Sequence, residues 1–164
     1  MLFKRLTRGW RHTRTIVSAL PAAPKRDLLA RMIAFSRALP RQFNQPLPQM
    51  MAQLTCVTDS DLPGLSSDEI RWLADAVAAW HLHSPLGICL RRSLLRYHFL
   101  RQAGLPVRIV FGARLKNDRE RGGIGGHAWL TLNGKPFYED PQNYAGFVEM
   151  YAYPVDSEQV DGRR

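Results

Sequence analysis

The sequence predicts an α+β fold, with helices first and a small antiparallel sheet after them. Three observations carry that expectation. Apolar residues recur at helical spacing between Ser66 and Ala103, Val107, Ile109, Val110 and Phe111 switch to a β-branched and aromatic run, and Asn133-Gly134 separates two short extended segments. A chain of 164 residues, 45% of them hydrophobic, has room for one domain and a modest appendage. We expect a basic N-terminal helical segment and connector over residues 1–60, a core over 61–155 and a C-terminal tail over 156–164.

Residues 2–20 alternate basic residues with Leu2, Phe3, Leu6, Trp10, Ile16, Val17 and Leu20, which reads as an amphipathic helix ended by Pro21 and Pro24. A second helix over about 25–39 carries Leu28, Leu29, Met32, Ile33, Phe35 and Leu39 and is expected to stop before Pro40. Prolines 46, 48 and 63 mark Gln42 to Pro63 as a connector. Ser66-Ser67-Asp68-Glu69 then reads as an N-cap with an acidic first turn, and Ile70, Leu73, Ala74, Val77 and Trp80 form one apolar face.

The next helix is the centre of the chain. Gly87 allows a tight turn, and Ile88, Leu90, Leu94, Leu95, Phe99 and Leu100 leave little of the helix without an apolar neighbour, so it should be deeply packed. Gly104 stands where a left-handed C-cap glycine is common. Beyond it a strand begins near Val107, a polar, glycine-rich loop spans Lys116 to Gly126, and a hairpin runs from His127 to Leu132 and from Lys135 to Glu139.

The formal charge of +9 is concentrated at one end. Lys4, Arg5, Arg8, Arg11, Arg14, Lys25, Arg26, Arg31, Arg37 and Arg41 are opposed only by Asp27 through residue 41. Such an arm suits a peripheral contact with an anionic membrane face or an acidic peptide or protein, and it equally fits a solvated helix pair. Nucleic acid fits least, because aromatic residues are not interleaved with the basic ones as stacking platforms. No stretch approaches the roughly 20 apolar residues that cross a bilayer. Cys56 and Cys89 follow no apolar signal region, so a reducing, cytoplasmic setting is expected and Cys56 reads as structural.

Cys89 lies in the opening turn of its helix, where backbone N–H groups and the helix dipole favour a thiolate. His127 is a candidate base for it. If Asn133 and Gly134 form a two-residue loop, Leu132 pairs with Lys135, Thr131 with Pro136, and counting outward His127 lies opposite Asp140. A bulge or a longer loop would exchange Asp140 for Glu139, so both carboxylates remain open. Cys89, His127 and Asp140 are then the parts of a Cys-His-Asp unit that attacks a carbonyl and needs no metal or organic cofactor. His81 and His83 invite a metal reading, but no second pair of ligands stands at the spacing of a closed zinc site. Arg91 and Arg92 could snorkel from the buried helix, pair with residues 139 and 140, or serve as surface charge.

Cys89-Leu90-Arg91-Arg92-Ser93-Leu94, Leu100 to Val107, Val110 to Arg114 and His127-Ala128-Trp129-Leu130, taken in order over residues 66–141, resemble the B2-type protein of lasso-peptide biosynthesis. The resemblance implies a papain/transglutaminase-like core, with a cysteine-bearing helix packed on a small antiparallel sheet, and N-terminal helices beside it. It also implies a cysteine leader peptidase with Cys89 as nucleophile and His127 as base. Its substrate would be a ribosomally made precursor peptide, with a leader-recognition protein and a cyclase as partners. Two other classes stay open: a transglutaminase-like acyltransferase, and a binding module whose thiol is inert.

Overall fold

The computed structural model describes residues 15–19, 22–55, 64–80, 85–117 and 122–155. The fold is α+β, as the sequence predicts, with six helices and one four-stranded antiparallel sheet among the described residues. Two compact units divide the chain, residues 1–105 and 106–164.

The first unit is helical. Residues 15–19 lie in α1, followed by α2 (Ala23–Gln42), α3 (Leu47–Thr55), α4 (Ser67–Trp80) and α5 (Ile88–Gln102). Pro24 stands in the first turn of α2, where its missing N–H costs nothing. This helix runs through Pro40 to Gln42, three residues past the expected stop at Leu39. Proline there removes only the bond its N–H would have made to the carbonyl of Ser36, and the helix closes where the Phe43 N–H donates to the Arg41 carbonyl.

The expected connector from Gln42 to Pro63 instead contains α3. Pro46 offers its carbonyl to the Met50 N–H at 3.1 Å, and Pro48 falls in the first turn, so both prolines start a helix where the sequence reading took them to prevent one. Met50, Met51 and Leu54 are buried and hold α3 in place.

Local chemistry explains the ends of α4 and α5. Glu69 N–H donates to Ser66 Oγ at 3.2 Å while Ser66 N–H donates to Glu69 Oε2 at 2.9 Å, a reciprocal capping box. Lys25 Nζ lies 2.6 Å from Glu69 Oε1, and that partner chiefly holds the Glu69 carboxyl below its usual range. Ile70, Leu73, Ala74 and Val77 are buried as expected, but Trp80 is 60% exposed, so the packed face ends before the last residue. At the other end of α5, Gly104 has φ 82°, Gly104 N–H donates to the Arg101 carbonyl and Leu105 N–H to that of Leu100, both at 3.0 Å. This is a Schellman closure in the left-handed conformation that glycine adopts freely.

Helix α5 is buried almost all round, packing within the unit against α2, α3 and α4. Leu94, Leu95, Tyr97, Phe99 and Leu100 are at most 1% exposed. Arg91 and Arg96 are buried too, which removes surface charge as the account of Arg91. Arg96 donates from Nε and Nη2 to the two carboxylate oxygens of Asp75, each at 2.7 Å, a bidentate tie between α5 and α4.

The second unit comprises β1 (Arg108–Leu115), β2 (Ile124–Leu132), β3 (Lys135–Phe137), α6 (Pro141–Tyr144) and β4 (Val148–Tyr153), with strand order β3-β2-β1-β4. Ile109 and Val110 point to opposite faces and are both buried, as a strand covered on two sides requires. β2 starts inside the expected Lys116–Gly126 loop, at Ile124, despite the glycines there. Gly126 pairs with Ala113, Gly125 with Arg114 and Ile124 with Leu115, and the Lys116 stem covers the side-chain space that Gly125 leaves empty. The Asn133-Gly134 turn forms as predicted, with φ of 52° and 74°, and Leu132 pairs with Lys135 and Thr131 with Pro136.

Candidate functional site

Cys89 is the second residue of α5, after the N-cap Gly87 at φ −57°, ψ 148°. Its side chain is partly exposed, beside an Ile88 that is exposed where deep packing was expected, whereas the helix from Ser93 to Leu100 runs into the core. First-turn N–H groups have no carbonyl four residues back within the helix, so the thiol stands among donors at the positive end of the dipole. The Arg91 N–H bond to the Gly87 carbonyl, at 3.1 Å, anchors that turn. A Cβ at residue 87 would stand 3.9 Å from Cys89 Sγ, in ordinary contact.

His127 is fixed from three sides within the second unit. On β2 it pairs with Gly112 of β1, and its ring stacks on Trp129 at 5.9 Å and meets Phe147 at 5.4 Å. Tyr144 stacks on the far side of this cluster against Trp129, at 5.9 Å. Gly112 is required here by close approach. A Cβ at that position would lie 2.7 Å from the Trp129 ring and 3.1 Å from the Val148 carbonyl, so any larger residue would push the indole into the histidine's support.

The carboxylate beside the imidazole is Glu139. Its Oε1 lies 3.8 Å from His127 Nε2, and both side chains are nearly buried, at 1% and 10% exposure. The count that placed His127 opposite Asp140 fails because the β2–β3 ladder ends at Phe137. Tyr138 has φ 55°, a left-handed residue that breaks the two-residue alternation on which the count depends. Asp140 instead caps α6, its Oδ1 accepting from the Gln142 N–H at 3.0 Å. The sequence carried this signal: an aspartate directly before a proline is the pattern of an N-cap followed by the first helical residue.

A second histidine, which the sequence reading did not single out, is built for a different purpose. His98 on α5 stacks on Phe35 at 4.2 Å and meets Phe99 edge-on at 4.9 Å. Its Nδ1 lies 2.8 Å from the Leu54 carbonyl, which can only accept, so Nδ1 carries the proton. Nε2 then accepts from Gln102 Nε2 at 2.9 Å, and Gln102 Oε1 accepts from Arg31 Nη2 at 2.7 Å. Burial is the main force holding His98 below the ordinary histidine range; the Leu54 bond opposes it and the Arg31 charge assists it.

The structure therefore brings His127 and Glu139 together, puts Asp140 in a capping role, and places Cys89 at the mouth of α5 in the first unit. Cys56, His81 and His83 fall outside the described residues. Among the described residues, no group of three or more His, Cys, Asp or Glu is placed to hold a metal ion. No described helix is long and apolar enough to cross a membrane.

The sequence matches the Transglutaminase-like superfamily over residues 17–152. The chain belongs to that superfamily. The match takes in Cys89, His127 and Glu139, and it reaches N-terminally through α2 and α3, well beyond the span 66–141 on which the resemblance was first read. Superfamily membership gives the chain a fold of the cysteine-peptidase and acyltransferase type. Comparisons with curated proteins and with solved structures return no match.

Proposed function

We propose that this protein is a cysteine peptidase that removes the leader from a ribosomally synthesised precursor peptide, as in lasso-peptide maturation. The observation that carries the reading is a cysteine in the first turn of a buried helix, in a chain of the transglutaminase-like superfamily. The His127–Glu139 pair supports it with a base already facing a carboxylate.

In this mechanism the Cys89 thiolate attacks the carbonyl at the leader–core junction, and the backbone N–H of Cys89 helps to hold the developing oxyanion. As the C–N bond breaks, the imidazolium of His127 gives its proton to the departing amine. Water, deprotonated by the same imidazole, then hydrolyses the thioester. The carboxylate stabilises the imidazolium and fixes its orientation, the part an acid plays in such a triad. A leader-recognition protein and a cyclase would act with this enzyme in the cytoplasm, and the basic N-terminal segment would meet an acidic surface there.

The test is incubation of the purified chain, and of Cys89→Ala, with the precursor peptide encoded beside its gene, following leader release by mass. Release by the native chain and none by the variant is expected. Equal release would remove Cys89 from the mechanism, and a cross-linked or amidated product would select acyl transfer to an amine instead of to water.

A further inference from the structure

The geometry points to Asn143 as a positioning residue that holds the Glu139 carboxylate against His127, with Asp140 building the turn that presents it. The inference deepens the proposed mechanism and rests on it only for its catalytic consequence, because every contact involved lies within the second unit.

Asn143 Nδ2 donates to Glu139 Oε1 at 2.6 Å, and that oxygen is the one facing His127 Nε2. The Glu139 side chain is 1% exposed although its neighbours Asp140, Pro141, Gln142 and Asn143 are exposed, so a buried anion is tied to an amide on a surface turn. A carboxylate so removed from water needs charge-assisted donors, and an amide at this distance is a strong one. The turn itself is pinned at both ends. Asp140 caps it through the Gln142 N–H, the Asn143 N–H donates to the Asp140 carbonyl at 2.9 Å, and Tyr144 lies on Trp129, the ring that also supports His127. Asp140 and Glu139 thus have separate tasks: the first shapes a backbone turn, for which its charge is dispensable, and the second supplies charge to the imidazole.

Among the other ionisable groups on the strands and turn around His127 are Arg114 on β1, whose guanidinium sits 5.2 Å over Phe147, Lys135 on β3, Tyr144 on α6, and Glu149 on β4, which pairs with Gly112. The substitutions below leave them in place.

The experiment is an NMR titration of the His127 ring in the full chain, its signal assigned by loss in His127→Gln. Glu139→Gln is expected to lower the titration midpoint by about one pH unit, the scale of a close opposite charge. Asn143→Ala should lower it by a large part of that shift, and Asn143→Gln, with an amide on a longer stem, should recover some of the loss. Asp140→Asn keeps an acceptor for the cap and should leave the midpoint unchanged. If Asn143→Ala does not fold, Asn143→Ser, which is too short to reach the carboxylate, gives the same reading. A midpoint unmoved by loss of the Asn143 amide would overturn the inference, as would a fall in Asp140→Asn with none in Glu139→Gln. Neither result touches the peptidase reading, which fails separately if Cys89→Ala still releases the leader.

Discussion

His98 and His127 are both enclosed by aromatic rings, yet their polar partners differ in kind. His98 meets a backbone carbonyl and a side-chain amide, with an arginine beyond, whereas His127 meets a carboxylate. The first set accepts one tautomer of a neutral ring, because a proton on Nε2 would face the Gln102 amide as a second donor. The second set places a carboxylate 3.8 Å from the ring nitrogen. One environment uses imidazole to join α3 to α5, and in the proposed mechanism the other serves proton exchange.

The sharpest way to break this contrast is to remove each ring in turn. His127→Gln is expected to slow leader release by about 10²-fold or more, the usual scale for a general acid–base group, while His98→Gln should leave the rate close to native. Comparable losses in the two variants, measured with the precursor peptide, would erase the distinction.

A smaller effect concerns stability in acid. The folded state binds a proton at His98 less readily than the unfolded chain does, so His98 carries no penalty above the ordinary histidine range near pH ~6.5. As the pH falls below that range the unfolded state takes up the proton first, and stability declines until the lowered folded midpoint is passed. Urea unfolding of the native chain between neutral and mildly acid pH should show this decline, and His98→Gln should flatten it. A slope unchanged by the substitution would assign the acid sensitivity to other groups.

The sequence revealed those parts of the molecule whose chemistry is local. The N-cap at Ser66, the glycine closure at Gly104 and the turn at Asn133-Gly134 each depend on a few adjacent residues, and all three form as read. Helix α3 is hidden in the sequence because Pro46 and Pro48 read as breakers, whereas they stand at the start of a helix whose Met50, Met51 and Leu54 are buried. Strand β4 escaped because its residues 148–150 are exposed and only Ala152 is buried, which leaves no clear alternation to read. At the site, the sequence led to His127 and to a pair of adjacent carboxylates. The left-handed Tyr138, which no local pattern announces, breaks the count between them, although Asp140 before Pro141 already reads as a helix cap. Asn143 lay deeper still, since its importance arises only when the Asp140 turn brings its amide to Glu139.

The central claim, that Cys89 and His127 work as one proton-sharing unit, is tested most directly by the pH dependence of Cys89 alkylation. The reaction with iodoacetamide would be followed by peptide mass mapping in a Cys56→Ser background. The account predicts rapid modification persisting to about pH 6, well below the usual thiol range near ~8.5, and its loss in His127→Gln. A native profile that rises only through the ordinary thiol range, unaltered by His127→Gln, would contradict it.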